Sequence, residues 1–304
     1  GRAFIVCDQD TGSYILCVDK KSGKELWKKN RFQAMSGHCT PIFFKPERGA
    51  TQIIVPGSFL LDAYAVDTGK RVWWVTGLSF EMKSVPVLHE GIIYINGYAS
   101  PINNVGNQTF LPDFKTSLKV WDKNKDGKIQ MKEVRAAKAL SYFSMCDRNK
   151  DKALGEAEFN HLRACLLSKN GLLAIRAGGE GDMTKKNLLW EYHRSIAQLP
   201  SVLHYGGVLY MLRDQSGLIT TLDPKTGKAR ERGRLKGARD DYYASPVAAD
   251  GKIYFVSLTG IITVTAKGGD LTPLATSHLE ETCWATPAIS GDRIYIRTDE
   301  ALYC

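Results

Sequence analysis

The sequence predicts an all-β fold, a β-propeller of four-stranded blades, and two repeating landmarks support this. The first is a Pro at the head of an apolar strand. The steps are 45 residues from Pro41 to Pro86, 46 from Pro200 to Pro246 and 41 from Pro246 to Pro287. Repeats of about 40–45 residues with four short strands are typical of propellers. A two-sheet sandwich, the alternative all-β fold, does not show such regular spacing.

The second landmark is a hairpin signature, in which an apolar strand is followed by Asp-x-x-Thr/Ser-Gly-Lys. It occurs over residues 17–27 and 220–228, and a shorter form with Asp67 directly before Thr-Gly-Lys occurs over 63–73. Asp caps a turn of this kind, and Gly takes the position that needs a left-handed backbone. Trp27 and Trp73 follow in the copies over 17–27 and 63–73. We expect these indole rings to pack between layers of the fold.

One repeat is interrupted, because the step from Pro86 to Pro200 is 114 residues, about 69 more than one repeat. We therefore predict a propeller over residues 1–100 and 171–304, with an insertion over 101–170. The remaining sequence gives four complete repeats and two partial ones, which predicts about six blades. The first residues resemble the inside of a repeat. We thus expect a preceding segment that closes the ring, with seven or eight blades if it is long.

The insertion contains a twelve-residue stretch, 122–133, with the pattern of an EF-hand calcium loop. Such a loop has acidic or amide oxygens at positions 1, 3 and 5, Gly at 6 and Glu at 12. Gly127 stands at position 6, and helix-spaced apolar residues flank the loop. The predicted ligands are side-chain oxygens and one backbone carbonyl, that of Lys128: Asp122, Asn124, Asp126, Lys128, Gln130 (directly or through water) and Glu133.

A second copy starts 25 residues later and spans 147–158. Its predicted ligands are again carboxylates, an amide and one backbone carbonyl, that of Ala153: Asp147, Asn149, Asp151, Ala153 and Glu158. Lys152 replaces the position-6 Gly, and a non-Gly residue at positive φ costs about 1 kcal/mol or more. We therefore expect two Ca²⁺ sites, the second weaker. One loop alone could be a metal-free Asx-rich turn, but two loops in tandem favour an EF-hand pair.

Charge and hydropathy limit the partners. The net charge is +9, but Lys and Arg are dispersed, so no nucleic-acid site is predicted. Residues 113–163 contain twelve Lys and Arg against eight Asp and Glu. This excess opposes cation binding, so we expect modest calcium affinity, suited to extracellular concentrations. No apolar run approaches the ~18 residues that span a bilayer, so no transmembrane segment is predicted.

The seven Cys form no metal-type C-x-x-C pair. Cys7 and Cys17 are symmetric about Gly12. A hairpin that turns there would bring them face to face. A cross-strand disulfide and buried free thiols therefore both remain open.

The hairpins over 17–27, 63–73 and 220–228 resemble the repeats of pyrroloquinoline-quinone-type β-propellers. The resemblance is to the non-catalytic bacterial members similar to the outer-membrane-assembly lipoprotein. Residues 173–182 and 243–252 resemble members of this group from planctomycete-type bacteria. Because such proteins are generally exported, the resemblance implies a periplasmic or extracellular location. It implies no activity, because a propeller can carry many functions.

Three functions are open, and we favour a non-catalytic, calcium-binding module that acts in binding or as a scaffold. A quinoprotein-like oxidoreductase is one alternative. It would be expected to have a vicinal disulfide and a calcium site within the ring, whereas this sequence has no adjacent Cys pair. A carbohydrate-active hydrolase or lyase is the other alternative, and it would need two converging carboxylates. Its candidates are Glu81, Asp240, Asp241, Glu280 and Glu281.

We expect a protein, peptide or glycan partner at the loops that lead into the Pro-headed strands, near the propeller axis. The candidate contacts are polar, charged and aromatic, and Ser36 shares a loop with the first of them: His38, Glu81, Lys83, Arg194, Arg239, Asp240, Tyr242 and Trp284. The alternative is that the aromatic rings pack between blades, as is usual in all-β repeats. The remaining His residues lack ligand spacing and are given no role.

Overall fold

The fold is taken from a computed structural model that describes residues 1–9, 12–32, 34–35, 37–134 and 136–304. The strands before the insertion are β1 (Arg2–Cys7), β2 (Tyr14–Asp19), β3 (Glu25–Asn30), β4 (Ile42–Phe44), β5 (Gln52–Gly57), β6 (Leu60–Ala65), β7 (Arg71–Thr76), β8 (Val87–His89) and β9 (Ile92–Gly97). The insertion contains α1 (Phe114–Trp121), β10 (Ile129–Gln130), α2 (Ala137–Cys146), β11 (Ala153–Leu154) and α3 (Glu156–Leu167). It also has 3₁₀ turns at Pro101–Asn103 and Met131–Glu133.

The elements after the insertion complete the sheets. They are β12 (Gly171–Arg176), β13 (Gly181–Asp182), α4 (Thr184–Asn187), β14 (Leu188–Tyr192), β15 (Leu203–Tyr205), β16 (Val208–Leu212), β17 (Leu218–Leu222), β18 (Ala229–Arg234), β19 (Val247–Ala249), β20 (Lys252–Val256), β21 (Ile261–Ala266), β22 (Pro273–His278), β23 (Ala288–Ser290), β24 (Arg293–Arg297) and β25 (Leu302–Tyr303).

Six of the sheets in the described residues are blades, formed in turn by β1–β3, by β4–β7, by β8, β9, β12 and β14, by β15–β18, by β19–β22 and by β23–β25. The two-residue strand β13 adds a parallel edge to β7. The prediction of a β-propeller with about six blades, four complete and two partial, is confirmed. The short opening strands β8 and β15 contact each other, as do β19 and β23. These first strands therefore lie nearest the axis.

At two of the junctions between successive blades, a Trp of one blade lies against a hairpin Gly of the next. Trp190 in the third blade lies against Gly227 in the fourth, where an added Cβ would be 2.6 Å from the ring. The Trp190 Nε1 donates to the Pro224 carbonyl at 3.0 Å. Trp27 lies against Gly69 in the same way. The indole rings therefore pack between layers, and they require Gly at the turn.

The core is a series of hydrophobic layers, one between each pair of successive blades. One layer joins Trp73 and Val75 of the second blade to Ile93 and Ile175 of the third. Because each layer needs both neighbours, the blades stabilise one another in sequence. No helix in the described part of the chain is long and apolar enough to cross a membrane.

The insertion leaves and returns at one end of the third blade. Strands β9 and β12 pair directly, with Gly97 opposite Gly171, so residues 98–170 form the connection between them. In an antiparallel meander alternate connections lie at the same end. The insertion thus shares one face of the propeller with the blade-to-blade loops, which are residues 31–41, 77–86, 193–202, 235–246 and 279–287. We call this the insertion face.

Aromatic contacts fix the insertion on the second blade. Phe59 meets His161 of α3 edge to face, with ring centroids 5.5 Å apart. Phe80 meets Tyr142 of α2 at 5.3 Å in the same geometry. Phe80 also belongs to the hydrophobic cluster that forms the core of the insertion. The insertion is therefore packed on the propeller rather than tethered by its two ends alone.

The alternative of a disulfide between Cys7 and Cys17 is wrong. The register of β1 and β2 pairs Cys7 with Tyr14 and Phe4 with Cys17, so the two thiols do not face each other. Both are free. The hairpin is not centred on Gly12, and a change of register moves every cross-strand pair.

Candidate calcium sites and the insertion face

The first candidate calcium loop follows α1 directly, and its side-chain oxygens are held by its own backbone. Asp122 accepts from the amides of Asp126 (3.2 Å) and Gly127 (3.0 Å). Asn124 Oδ1 accepts from the Asp126 amide at 3.2 Å, and Asp126 Oδ1 accepts from the Lys128 amide at 3.0 Å. Gly127 has a φ of 77°, which is the left-handed position of the turn. These contacts gather the predicted oxygens on the inside of one turn.

Glu133 closes this loop from its far end. Its side chain is buried, with 3% exposure. One carboxylate oxygen accepts from the Lys123 amide at 2.8 Å, and the other accepts from the Gln130 amide at 2.9 Å. Burial by itself would raise the pKa of Glu133, but the backbone donors outweigh it and the pKa lies below its usual value. The carboxylate is therefore kept ionised, in the form that binds a cation.

The second loop repeats this arrangement contact for contact. Asp147 accepts from the amides of Asp151 (3.2 Å) and Lys152 (2.9 Å). Glu158 accepts from the amides of Arg148 (2.9 Å) and Gly155 (3.0 Å). Lys152 has a φ of 66° and takes the same left-handed conformation as the position-6 Gly of the first loop. The substitution therefore leaves the loop shape unchanged and adds backbone strain.

A two-stranded sheet, β10 with β11, couples the two loops. Ile129 pairs with Leu154, and both side chains are fully buried. Lys128 of the first loop also forms an ion pair with Asp151 of the second, with Nζ and Oδ2 2.5 Å apart. Lys128 lowers the pKa of the Asp151 carboxyl. This ammonium occupies an oxygen that the second loop would offer to a cation.

The donor set of both loops fits a hard divalent cation. It consists of carboxylate, amide and backbone oxygens, which are the ligands that calcium prefers. Their spacing and the left-handed position 6 match the twelve-residue calcium loop in both copies. The residues that could hold the ions are those predicted from the sequence: Asp122, Asn124, Asp126, Lys128, Gln130 and Glu133 in the first loop, and Asp147, Asn149, Asp151, Ala153 and Glu158 in the second.

The predicted partner-binding residues lie on several loops of the insertion face. Four of them are exposed: His38, Arg194, Arg239 and Trp284. Trp284 is 55% exposed and stacks on Tyr243, with ring centroids 5.1 Å apart. Tyr242 is fully buried, and its hydroxyl donates to the Ala238 carbonyl at 2.7 Å. Tyr242 is therefore a core residue that a ligand cannot reach. Ser36 lies outside the described residues.

Most carboxylates considered for hydrolysis have structural partners. Glu81 pairs with Lys83. Asp240 accepts from the Thr259 amide at 2.9 Å and from its hydroxyl at 2.6 Å. Asp241 accepts from the Ser216 amide, and Glu281 accepts from the Thr298 and Tyr303 hydroxyls. These contacts hold loops in shape, so they give no support to a carboxylate pair that works on a substrate.

A positively charged cleft lies at the insertion face, and no motif in the sequence predicts it. It has a volume of about 490 Å³ and lies between the insertion and the third and fourth blades. Arg194, Arg213 and Arg232 line it, and of these the sequence predicts only Arg194 as a binding residue. No local pattern connects these three residues, because they come from different elements. The charge pattern of a single strand or loop could not have revealed the cleft.

Two other clusters also have no motif in the sequence. Cys146, His161 and Cys165 lie in the core of the insertion, with their ligand atoms within 4.8 Å of one another. At the face opposite the insertion, His89 and His204 stack at 4.0 Å beside a cleft of about 720 Å³. Burial lowers the pKa of His161 to about 4, so its imidazole is neutral at pH 7.

Comparison with known proteins supports the fold. A family described as "Outer membrane protein assembly factor BamB" matches residues 165–304. BamB from Moraxella catarrhalis superposes with a TM-score of 0.58 at 10% identity, over 99% of this chain and 68% of that one. No curated protein matches.

Two further solved structures are similar over less of their own length. Quinohemoprotein alcohol dehydrogenase from Comamonas testosteroni has a TM-score of 0.50 at 12% identity, over 91% of this chain and 41% of that one. Sqt1 from Saccharomyces cerevisiae has a TM-score of 0.50 at 11% identity, over 96% of this chain and 65% of that one. At such low identity these likenesses show a shared propeller fold and no shared activity.

Proposed function

We propose that this protein is an exported, calcium-binding β-propeller that acts as a non-catalytic binding or scaffold module. The observation that carries the calcium proposal is the repeated hydrogen-bond pattern of the loops 122–133 and 147–158. Each loop turns its carboxylates inward and closes with a Glu bound to backbone amides. One such loop alone would also fit a metal-free Asx-rich turn. Two matched loops joined by a short sheet favour a paired calcium module.

The calcium ions would have a structural role. Bound calcium would neutralise the carboxylates that each loop brings together. The loops join α1, α2 and α3, and α2 and α3 carry the residues that contact Phe59 and Phe80 of the propeller. Ordering the loops would thereby order the wall that the insertion adds to its face. The second loop would bind more weakly because Lys152 is strained and Lys128 competes for Asp151.

Similarity to a known protein family supports a binding role and an exported location. The family that matches residues 165–304 is described as an outer membrane protein assembly factor, which among the expected partners favours a protein or peptide outside the cytoplasm. The insertion face presents the exposed Trp284–Tyr243 stack. Exposed aromatic and charged side chains on loops are typical of recognition surfaces.

Calorimetric titration with calcium tests the ligand assignment. We expect two bound ions in the native protein, one in Glu133→Gln or Glu158→Gln, and none in the double variant, because each substitution removes the closing carboxylate. Glu156→Gln is the matched control, since it removes the same charge from the second loop at a position that supplies no ligand. Unchanged stoichiometry in the double variant would refute the assignment.

The non-catalytic assignment has its own test. The protein is incubated with pyrroloquinoline quinone and calcium, and bound chromophore and dye reduction are measured. We expect neither. A bound chromophore together with turnover of an alcohol would replace the proposed function with a quinoprotein oxidoreductase.

A further inference from the structure

The cleft at the insertion face concentrates positive charge, and we propose that it binds a tetrahedral oxyanion, a phosphate or sulfate ester of a small molecule. This inference deepens the proposed binding function and rests on it. The guanidinium groups that would bind the anion are those of Arg194, Arg213 and Arg232, which line the cleft.

The cleft is built from four parts of the chain. Arg194 lies in the loop after β14, Arg213 follows β16, and Arg232 lies in β18, while Asn104 and Val105 of the insertion complete the lining. Its volume of about 490 Å³ is in the range of small-molecule sites. Without the insertion one wall would be missing, so this site depends on the feature that interrupts the repeat.

Among the described residues, no carboxylate pairs with the three guanidinium groups of the cleft. No Asp or Glu is among the described residues that line it. Arg232 Nη2 donates to Ser195 Oγ at 2.7 Å, and Arg213 Nη2 donates to Gln215 Oε1 at 3.2 Å. Both acceptors are neutral. Three like charges that face one space repel each other, and an anion between them would relieve that repulsion.

Arginines elsewhere in the molecule show the contrast. Arg230 pairs with Asp223 at 2.7 Å, and Arg71 pairs with Asp62 at 2.5 Å. Arg2 pairs with Asp67 in the same way, at 2.7 Å. Five arginines of the described residues have a carboxylate partner, and most of the others, including Arg234 and Arg239, have none, so one unpaired guanidinium is not unusual by itself. The cleft gathers three that have no such contact among the described residues.

His193 also lines the cleft, where Glu191 is its charge partner. Its Nδ1 lies 2.8 Å from the Asn170 carbonyl, and its Nε2 lies 3.6 Å from a Glu191 oxygen. The Glu191 carboxylate raises the pKa of His193, and the Asn170 carbonyl acts in the same direction. The imidazole therefore carries a positive charge over a wider pH range than a free His.

The loop that carries Arg194 is held firmly. Ile196 and Ala197 are buried, and the Gln198 amide donates to Asp214 Oδ1 at 2.8 Å. Ser195 has a φ of 50°, a strained conformation for a residue other than Gly. Backbone strain of this kind concentrates at ligand sites, where the surrounding structure maintains it. The Arg194 backbone is thus positioned before any ligand arrives.

The number and spread of the guanidinium groups favour a tetrahedral anion. A guanidinium presents a planar fork of N–H donors that binds two oxygens of one anion. One or two forks are sufficient for a planar carboxylate, whereas a phosphate or sulfate presents oxygens in three or more directions. Because the three arginines that line the cleft come from different elements, they suit an anion with oxygens in several directions better than a planar one.

Titration with inorganic phosphate, inorganic sulfate and glucose 6-phosphate tests the proposal, at an ionic strength fixed with sodium chloride. We expect saturable binding of these anions. Arg194→Gln should weaken binding about tenfold or more, because charge-assisted hydrogen bonds are among the strongest. The triple variant with Gln at 194, 213 and 232 should show no binding. Its thermal unfolding and circular dichroism are compared with those of the native protein to establish that it folds.

Arg293→Gln, an exposed site on the sixth blade, is the matched control and should bind as the native protein does. Equal weakening in this control, or unchanged binding in the triple variant, would overturn the site. Tighter binding of acetate or citrate than of phosphate would overturn the choice of a tetrahedral anion. The Glu133→Gln, Glu158→Gln double variant is titrated with the same anions. Lost calcium binding with retained anion binding separates the two proposals.

Discussion

The blade hairpins and the calcium loops both turn through a left-handed residue, but the surroundings of that residue differ. In the blades, Gly69 and Gly227 lie against an indole ring of the preceding blade, so a side chain there would collide with it. In the loops, no atom of the described residues lies within 4 Å of a Cβ built at Gly127, and Lys152 occupies the equivalent position of the second loop. Gly69 and Gly227 are thus required both by backbone conformation and by packing. In the insertion Gly is favoured by conformation alone.

The largest loss of stability is expected from a substitution in the blade hairpin. Gly227→Ala should destabilise the protein by about 2–4 kcal/mol, because the strain of positive φ adds to overpacking against Trp190. Gly23→Ala is the control. Its φ of 71° is equivalent, and no described atom lies within 4 Å of a Cβ built there. It should cost only about 1 kcal/mol, from strain alone. Urea unfolding compares the two, and equal losses would remove the packing argument.

A smaller effect is expected at the first calcium loop. Gly127→Lys should weaken calcium binding there by about five- to tenfold, because only the roughly 1 kcal/mol of positive-φ strain is added. The fold should be retained, since the second loop already tolerates this residue. Calorimetry measures the affinity. Complete loss of binding would show that position 6 has a role beyond backbone conformation.

The reverse substitution in the second loop should strengthen calcium binding. Lys152→Gly relieves strain, but the added freedom of Gly in the unfolded chain offsets part of the gain. We expect about threefold tighter calcium binding in the second loop. The double variant Gly127→Lys, Lys152→Gly should exchange the order of the two affinities. An unchanged order would mean that Lys128 and the other charges, rather than position 6, set the difference.

Removing the ion pair between the loops should strengthen calcium binding by a comparable amount, and this gain should depend on salt. Lys128→Met frees Asp151 from an ammonium at 2.5 Å. Both side chains are more than a third exposed, so the pair is worth little, and we expect about two- to fivefold tighter binding in the second loop. Lys132→Met removes the same charge without breaking this pair. The gain should shrink at high salt, and an equal gain in both variants would point to net charge alone.

The smallest effect concerns pH in the absence of calcium. The pKa of Glu133 is lowered in the folded protein from its usual value of 4.5. Its contribution to stability is therefore full above pH 4.5 and is lost as the pH falls through the folded-state pKa. Unfolding free energies measured with a chelator present should decline over this acidic range. Glu133→Gln should show a shallower decline, and an identical slope would contradict the backbone bonding of this carboxylate.

The parts of the fold that could be predicted are those encoded by local patterns. Asp223 accepts from the Lys225 and Thr226 amides at 3.0 Å each, and Gly227 has a φ of 68°, as the hairpin signature predicts. The Pro steps likewise count the blades because each repeat forms one sheet. The loop 122–133 has the turn geometry that its spacing implies. The calcium itself stays a prediction.

Pairings between distant elements could not be predicted. The sequence could not distinguish a ligand-binding Tyr242 from a buried one, because an aromatic residue in a loop suits either position. The symmetry of Cys7 and Cys17 suggested a pairing that the register of β1 and β2 excludes. Both depend on which neighbour fills the space, and that neighbour is far away in sequence.

The repeat, the blade hairpins and the two oxygen-rich loops follow from the sequence alone, because each is specified by residues close together in the chain. The tertiary structure alone packs the insertion on Phe59 and Phe80 and makes it one wall of a cleft. It also decided that Arg194, Arg213 and Arg232 face one space. Electrostatic potential and packing add over distance in space and ignore distance along the chain. For that reason the charged cleft emerged only when the blades were assembled.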